Sequence, residues 1–268
     1  MKEGGFIMET INNLITQVKT NALYVGSFLL IIAGLFVCSV VAERIIRSKK
    51  GITDKTSAAR RAASVGLLSA ISAALMLIEL PMPFAPSFYK LDLSELPVMI
   101  GAYAFGPSVG VLIEFIKIIL KLFMKGTSTA FVGELANFAV GASFVIPAAT
   151  LYYAGRTKKN AIKSCVLGTI CITMFGTAFN AVYLLPAFAK LYGMPLESIL
   201  DLGAKVNPLA GNNIVTFVLA CVAPLNLIKG AVISLLTLLV YKRISPVLKG
   251  AGIGADLVTR KNEKAEEN

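Results

Sequence analysis

The stretch from Ala223 to Lys242, APLNLIKGAVISLLTLLVYK, decides how this chain is read. It reaches the roughly 20 residues that an α-helix needs to cross a bilayer, yet it carries an amine, Lys229. A charge at that depth costs about 2.5 to 3.5 kcal/mol even on the mildest insertion scale. Something must offset that cost, and a polar interior shared with other helices is the natural source.

The rest of the chain supports a membrane reading. Of 268 residues, 56% are hydrophobic, and the mean hydropathy is +0.75. Both values lie far above those of a soluble domain. The net charge of +11 falls in three clusters: RIIRSKKGITDKTSAARR (Arg44–Arg61), RTKKNAIK (Arg156–Lys163) and the tail after Tyr241. Clusters of this kind follow the positive-inside rule. They lack the interleaved aromatics of a nucleic-acid surface, so no nucleic-acid partner is expected. The chain has no histidine, which excludes histidine-based acid–base chemistry and metal sites. It also has no GxxxxGK[ST] segment, so ATP-driven work needs another chain. Cys38, Cys165, Cys171 and Cys221 sit in apolar runs without ligand spacing and read as small hydrophobes.

Apolar runs predict about seven spans: Ala22–Ala42, Ala62–Leu80, a short one over Leu96–Phe105, Val109–Met124, Phe131–Tyr153, Ile162–Leu185 and Ile214–Tyr241. Prolines between Pro81 and Pro97 predict an external loop, Pro186 predicts a helix end, and Pro224 predicts an interruption. Alternate threading then places all three basic clusters inside, with the amino end outside and the carboxyl end inside. No inverted hydropathy repeat is evident, which weakens the case for an ordinary secondary transporter.

Few residues inside these spans are costly to bury. They are Glu114 and Lys117, Glu134 and Asn137, Asn180, then Asn226 and Lys229. A spacing of three puts both members of each pair on one helix face, so these faces can line a common interior. Glu114 can neutralise Lys117 or Lys229, asparagines can bond between helices, and Glu134 lies near a helix end where water can solvate it. The full set exceeds what such roles require. Amides beside an ammonium suit the polar edge of a planar heterocycle, and Phe115, Phe138, Phe179 and Tyr183 are positioned to face its flat body. No nucleophile is paired with a base, so the site binds and releases rather than catalyses. Ala62, Gly66, Ala70 and Ala74 form a stripe of small residues. On spacing alone, packing within the bundle explains it best.

In order, KLDLSELP, FGPSVGVLIEFIK, GELANFAVG, FNAVYLLPAF and PLNLIKG resemble the riboflavin-specific substrate-binding subunits (RibU type) of energy-coupling factor (ECF) vitamin transporters. The resemblance implies an all-α membrane fold, a six-helix S-component bundle over residues 59–248. An extra membrane helix and basic linker (1–58) precede it, and a polar cytoplasmic tail (249–268) follows. It implies capture of riboflavin, or FMN, from outside a prokaryotic plasma membrane under a cap at Pro81–Leu93. Asn180 and Lys229 then contact the flavin ring, with Asn226, Asn137, Lys117 and Leu91 as further pocket residues. The family also implies no enzyme activity and no ATPase in this chain. A transmembrane coupling subunit (T component) with two ABC ATPases supplies the drive and docks on Ala62, Gly66, Ala70 and Ala74. Departures from the family pattern are Leu225 in place of phenylalanine, Ala181 in place of tyrosine and Glu95 in place of aspartate. The alternative function is an ion-coupled secondary transporter using Glu114 or Glu134.

Overall fold

The structure is a computed structural model that describes Thr16 and residues 22–51, 56–127, 129 and 131–249. The expected polar tail lies outside the described residues. Among the described residues the fold is all-α apart from one hairpin of two-residue strands. Its helices are α1 (Ala22–Lys50), α2 (Ala58–Met76), α3 (Glu95–Phe105), α4 (Pro107–Lys125), α5 (Val132–Ala154), α6 (Lys158–Phe179), α7 (Leu185–Tyr192), α8 (Leu196–Val206), α9 (Ile214–Phe217) and α10 (Ala223–Lys249).

α3 is the centre of the bundle. All but one of its residues are buried, and it packs against α2, α4, α5 and α10. A helix apolar all round belongs in an interior, which explains why eleven residues suffice here. Gly106 joins α3 to α4 at a φ of 113° that a side chain would resist, and Pro107 opens α4 where its missing N–H costs nothing. Ser57 and Thr157 cap α2 and α6 through their side-chain oxygens.

By length and apolarity, four helical runs qualify as spans among the described residues: Phe28–Lys50, Val132–Ala154, Lys158–Tyr192 and Ile214–Arg243. About seven were expected. Three expected spans fall short: α2 opens on Arg60 and Arg61, and of the inner helices α3 is short and α4 carries Glu114, Lys117, Lys121 and Lys125 on 19 residues. Burial against other helices replaces lipid exposure there.

Three boundaries differ from expectation. α2 stops at Met76 rather than Leu80, because Leu80–Pro81 pairs antiparallel with Lys90–Leu91. The proline-rich loop is thus a hairpin closed over one end of the bundle. Pro186 does not end its helix, and Pro224 does not interrupt the last one. A π turn precedes each, at Asn180–Leu184 and Val218–Val222. Leu185 N–H bonds Asn180 O, and Ala223 N–H bonds Val218 O, five residues back. The widened turn lets a proline follow without breaking the run.

α1 packs on α4 and α5, burying Phe28, Ser39, Glu43 and Ile46. Glu43 Oε2 accepts the Ser108 N–H at 3.1 Å, a carboxylate set at the positive end of α4. Arg47 Nη2 lies 2.8 Å from Glu43 Oε1.

Candidate functional site

A cavity of about 530 Å³ lies under the hairpin. Asn137 on α5, Asn180 at the first π turn, and Asn226 and Lys229 on α10 all line it. These four expected residues converge on one space from three separate runs of chain. Asn180 is held by two bonds: its Nδ2 donates to Gly176 O at 2.7 Å, and its Oδ1 accepts the Tyr89 hydroxyl at 2.8 Å. Asn226 Nδ2 donates to Val222 O at 3.1 Å, inside the second π turn. Both asparagines therefore sit where the helical ladder is already loosened, a common setting for functional side chains.

The amine of Lys229 finds its compensation in the loop after the hairpin and at the start of α3. Its Nζ donates to Asp92 Oδ2 at 3.2 Å and lies 2.9 Å from Glu95 Oε1. An ammonium has three donors, so one remains uncommitted among the described residues, on a side chain that lines the cavity. Lys117 is different. Its Nζ donates to Ser94 Oγ at 2.9 Å and Glu95 Oε1 at 3.2 Å, and meets Glu114 Oε1 at 2.6 Å. It has 0% exposure and stands behind the cavity wall. Leu91 is also off the wall: Lys90 and Asp92 line the cavity, while the intervening Leu91 packs into an apolar cluster, as strand alternation requires.

Asp92 and Glu95 precede the short apolar run Leu96–Phe105, so hydropathy alone does not mark them as buried charges. Asp92 lines the cavity and Glu95 links the two lysines. Two expectations need correcting. Glu134 is 2% exposed rather than solvated. It pairs with Lys121 and accepts Thr127 Oγ1 at 3.0 Å and Thr129 Oγ1 at 3.1 Å. The expected aromatics do not face the cavity. Phe115, Phe138, Phe179 and Tyr183 pack into a separate cluster with Phe131 and Leu135, and the cavity's rings are Phe88, Tyr89, Phe188 and Tyr192.

At the mouth, Glu79 Oε2 lies 2.6 Å from Lys90 Nζ and 3.0 Å from Lys125 Nζ, tying the hairpin to the ends of α2 and α4. Partial burial works against the Glu79 charge, but the two ammoniums prevail and hold its carboxyl below the usual range. Ala62, Gly66, Ala70 and Ala74 are all exposed on α2. The stripe is therefore not packed within the bundle, which sequence spacing alone had favoured.

A helical membrane bundle that encloses a polar-edged, aromatic-walled cavity is a solute-binding membrane protein. The family model for the substrate-specific component of ECF transporters matches residues 60–241, and the chain belongs to that family. It is 34% identical to the riboflavin transporter RibU of Staphylococcus aureus, over 71% of this chain and 93% of the relative. It is 33% identical to the riboflavin transporter FmnP of Bacillus subtilis, over 68% and 90%. A solved S component of a bacterial ECF transporter is 30% identical, with a TM-score of 0.56, covering 72% of this chain and all of that one. The family match begins after α1.

Proposed function

We propose that this chain is the riboflavin-binding S component of an ECF importer. It captures the flavin from outside a prokaryotic plasma membrane and delivers it inward with a T component and two ABC ATPases. The observation that carries the reading is the convergence of Asn137, Asn180, Asn226 and Lys229 on one cavity, in a chain whose similar relatives are named riboflavin transporters. Its volume falls within the roughly 300 to 1,000 Å³ typical of small-molecule sites. A flavin ring edge alternates carbonyl acceptors with an imide donor, which amides and an ammonium can match, and the four rings suit its faces. The chain acts as a binding subunit, not an enzyme. Residues 59–248 form the carrier, α1 is an added helix, and the carboxyl end is cytoplasmic. The stripe on α2 is the docking face for the T component.

Titration of riboflavin into purified protein stripped of co-purified flavin, followed by quenching of flavin fluorescence, tests this directly. Saturable quenching is expected, and folded protein that fails to quench would remove flavin as the ligand. FMN should bind about tenfold more weakly, or about 1.4 kcal/mol. Each cavity lysine is already paired, Lys90 with Glu79, Lys121 with Glu134 and Lys229 with Asp92 and Glu95. A phosphate thus meets carboxylates without an uncommitted cation. Equal affinity for the two would show that a lysine is released on binding. Asn180→Ala should weaken riboflavin binding by about 1 to 3 kcal/mol through lost hydrogen bonds. An unchanged titration curve would take Asn180 out of the site.

A further inference from the structure

We propose that the buried network behind the cavity holds one proton, carried by Glu114. The network runs Asp92, Lys229, Glu95, Lys117, Glu114. It contains three carboxylates and two ammoniums, each residue at most 7% exposed. One negative charge is therefore left over in a place where an uncompensated charge is strongly disfavoured.

The surplus falls at one end. Asp92 accepts from Ser94 N and Lys229, and Glu95 from Ser94 Oγ and Lys117. Neither oxygen of Glu114 receives a hydrogen bond among the described residues, although both are fully buried. Its close contact is Lys117 Nζ, 2.6 Å from Oε1, which lies outside hydrogen-bond geometry, and the charge of that ammonium is shared with Glu95. Glu114 is thus the one carboxylate of the network that accepts no hydrogen bond among the described residues.

The charged groups around Glu114 are Lys117 on its own helix, Glu95 at the start of α3 and Lys229 on α10. α5 faces it with Gly141, where a Cβ would overlap the carboxylate. The one acid near the start of α5, Glu134, is paired with Lys121. α2 has no titratable side chain beyond Arg60 and Arg61 at its start, and Glu43 of α1 is engaged at Ser108, where α4 begins. So close a fit against Gly141 admits a proton and excludes a hydrated cation.

The proton is linked to ligand binding through the other end of the chain of charges. Asp92 and Lys229 line the cavity, so an uncharged ligand that displaces water there lowers the dielectric around the network. That tightens the hold on the proton. Affinity is then highest in acid and falls as pH rises through the network's titration, by at most about tenfold per pH unit for one linked proton.

Infrared difference spectroscopy on ligand-free protein in lipid nanodiscs at neutral pH tests the proton itself. The expected result is the carbonyl stretch of an undissociated carboxylic acid, shifted in heavy water, absent in Glu114→Gln and retained in Glu134→Gln. No acid band in the wild type, or one that survives Glu114→Gln, overturns the proposal. If Glu114→Gln does not fold, Gly141→Ala serves instead: a methyl pressed on the carboxylate must move the band, and an unmoved band overturns the assignment. This readout needs no flavin, so its failure is distinct from failure of the riboflavin titration. The linkage rests on the flavin reading, and a riboflavin affinity independent of pH would overturn it.

Discussion

Replacing Lys229 with methionine is expected to abolish ligand binding and to lower the unfolding free energy by about 3 to 5 kcal/mol. That is the usual cost of removing one partner from a buried ion pair. Among the described residues Asp92 would keep the Ser94 N–H, at 2.9 Å, and Glu95 would keep Lys117. With the proton on Glu114, the network would hold two carboxylates against one ammonium. Stability and binding can be separated, because the chain has no tryptophan and circular dichroism reports helix melting without interference from flavin quenching. Pairing Lys229→Met with Asp92→Asn should restore most of the melting temperature while leaving the site unable to bind. If the double variant binds riboflavin, the amine supports the fold and does not contact the ligand. If the single variant melts like the wild type, the ion pairs contribute nothing net.

The second large effect is expected on the opposite kind of assay. Gly66→Leu and Ala70→Leu should leave flavin affinity within about twofold, since exposed substitutions usually change stability by less than about 0.5 kcal/mol. Both should cut uptake by roughly five- to 150-fold in cells that express the coupling subunit and ATPases. This corresponds to about 1 to 3 kcal/mol of overpacking where two helices must approach closely. Beyond its own stretch of helix, no atom lies within 4 Å of a Cβ built on Gly66, and Gly66 and Ala70 are both exposed, so the added side chains have room on the outer face of α2. α1 packs on α4 and α5 and leaves all four small residues exposed. The added helix therefore does not obstruct the proposed docking face. Uptake at wild-type rates in both variants would mean that the coupling subunit docks elsewhere.

Much of the fold was legible because lipid imposes strict terms on composition. Long apolar runs with basic ends mark helices, and four of the six expected pocket residues do line the cavity. Two kinds of feature were not legible. A π turn leaves no mark on hydropathy, so Pro186 and Pro224 read as breaks when an extra backbone residue accommodates both. The difference between Lys117 and Lys229 also cannot be read from their own helices. It arises from Ser94 and Glu95, contributed by a loop and the start of α3, which commit Lys117 and leave Lys229 a donor for the cavity. Glu95 had entered only as a departure from a family pattern, yet it bridges both lysines. The aromatic walls were misplaced because packing pairs rings along one helix, as in the stack of Phe175, Phe179 and Tyr183. The cavity's own rings come from the loop and from α7.

The two π turns also set the angular phase of the helices that follow them. One residue corresponds to about 100° of rotation in an α-helix. The π turn at Val218–Val222 takes up one extra residue with little added rotation, and so sets the bearing of Asn226 and Lys229 on the cavity. Wound as regular α-helix, the same residues would turn Asn226 and Lys229 by about a quarter-turn around their own helix axis, and Lys229 would leave Asp92. The first turn sets the bearing of α7, with Phe188 and Tyr192, in the same way. The composition of the pocket is thus written in side chains, but its alignment is written in backbone count. Regular α-helical winding of the same residues would misalign the site while leaving every pocket residue in the sequence.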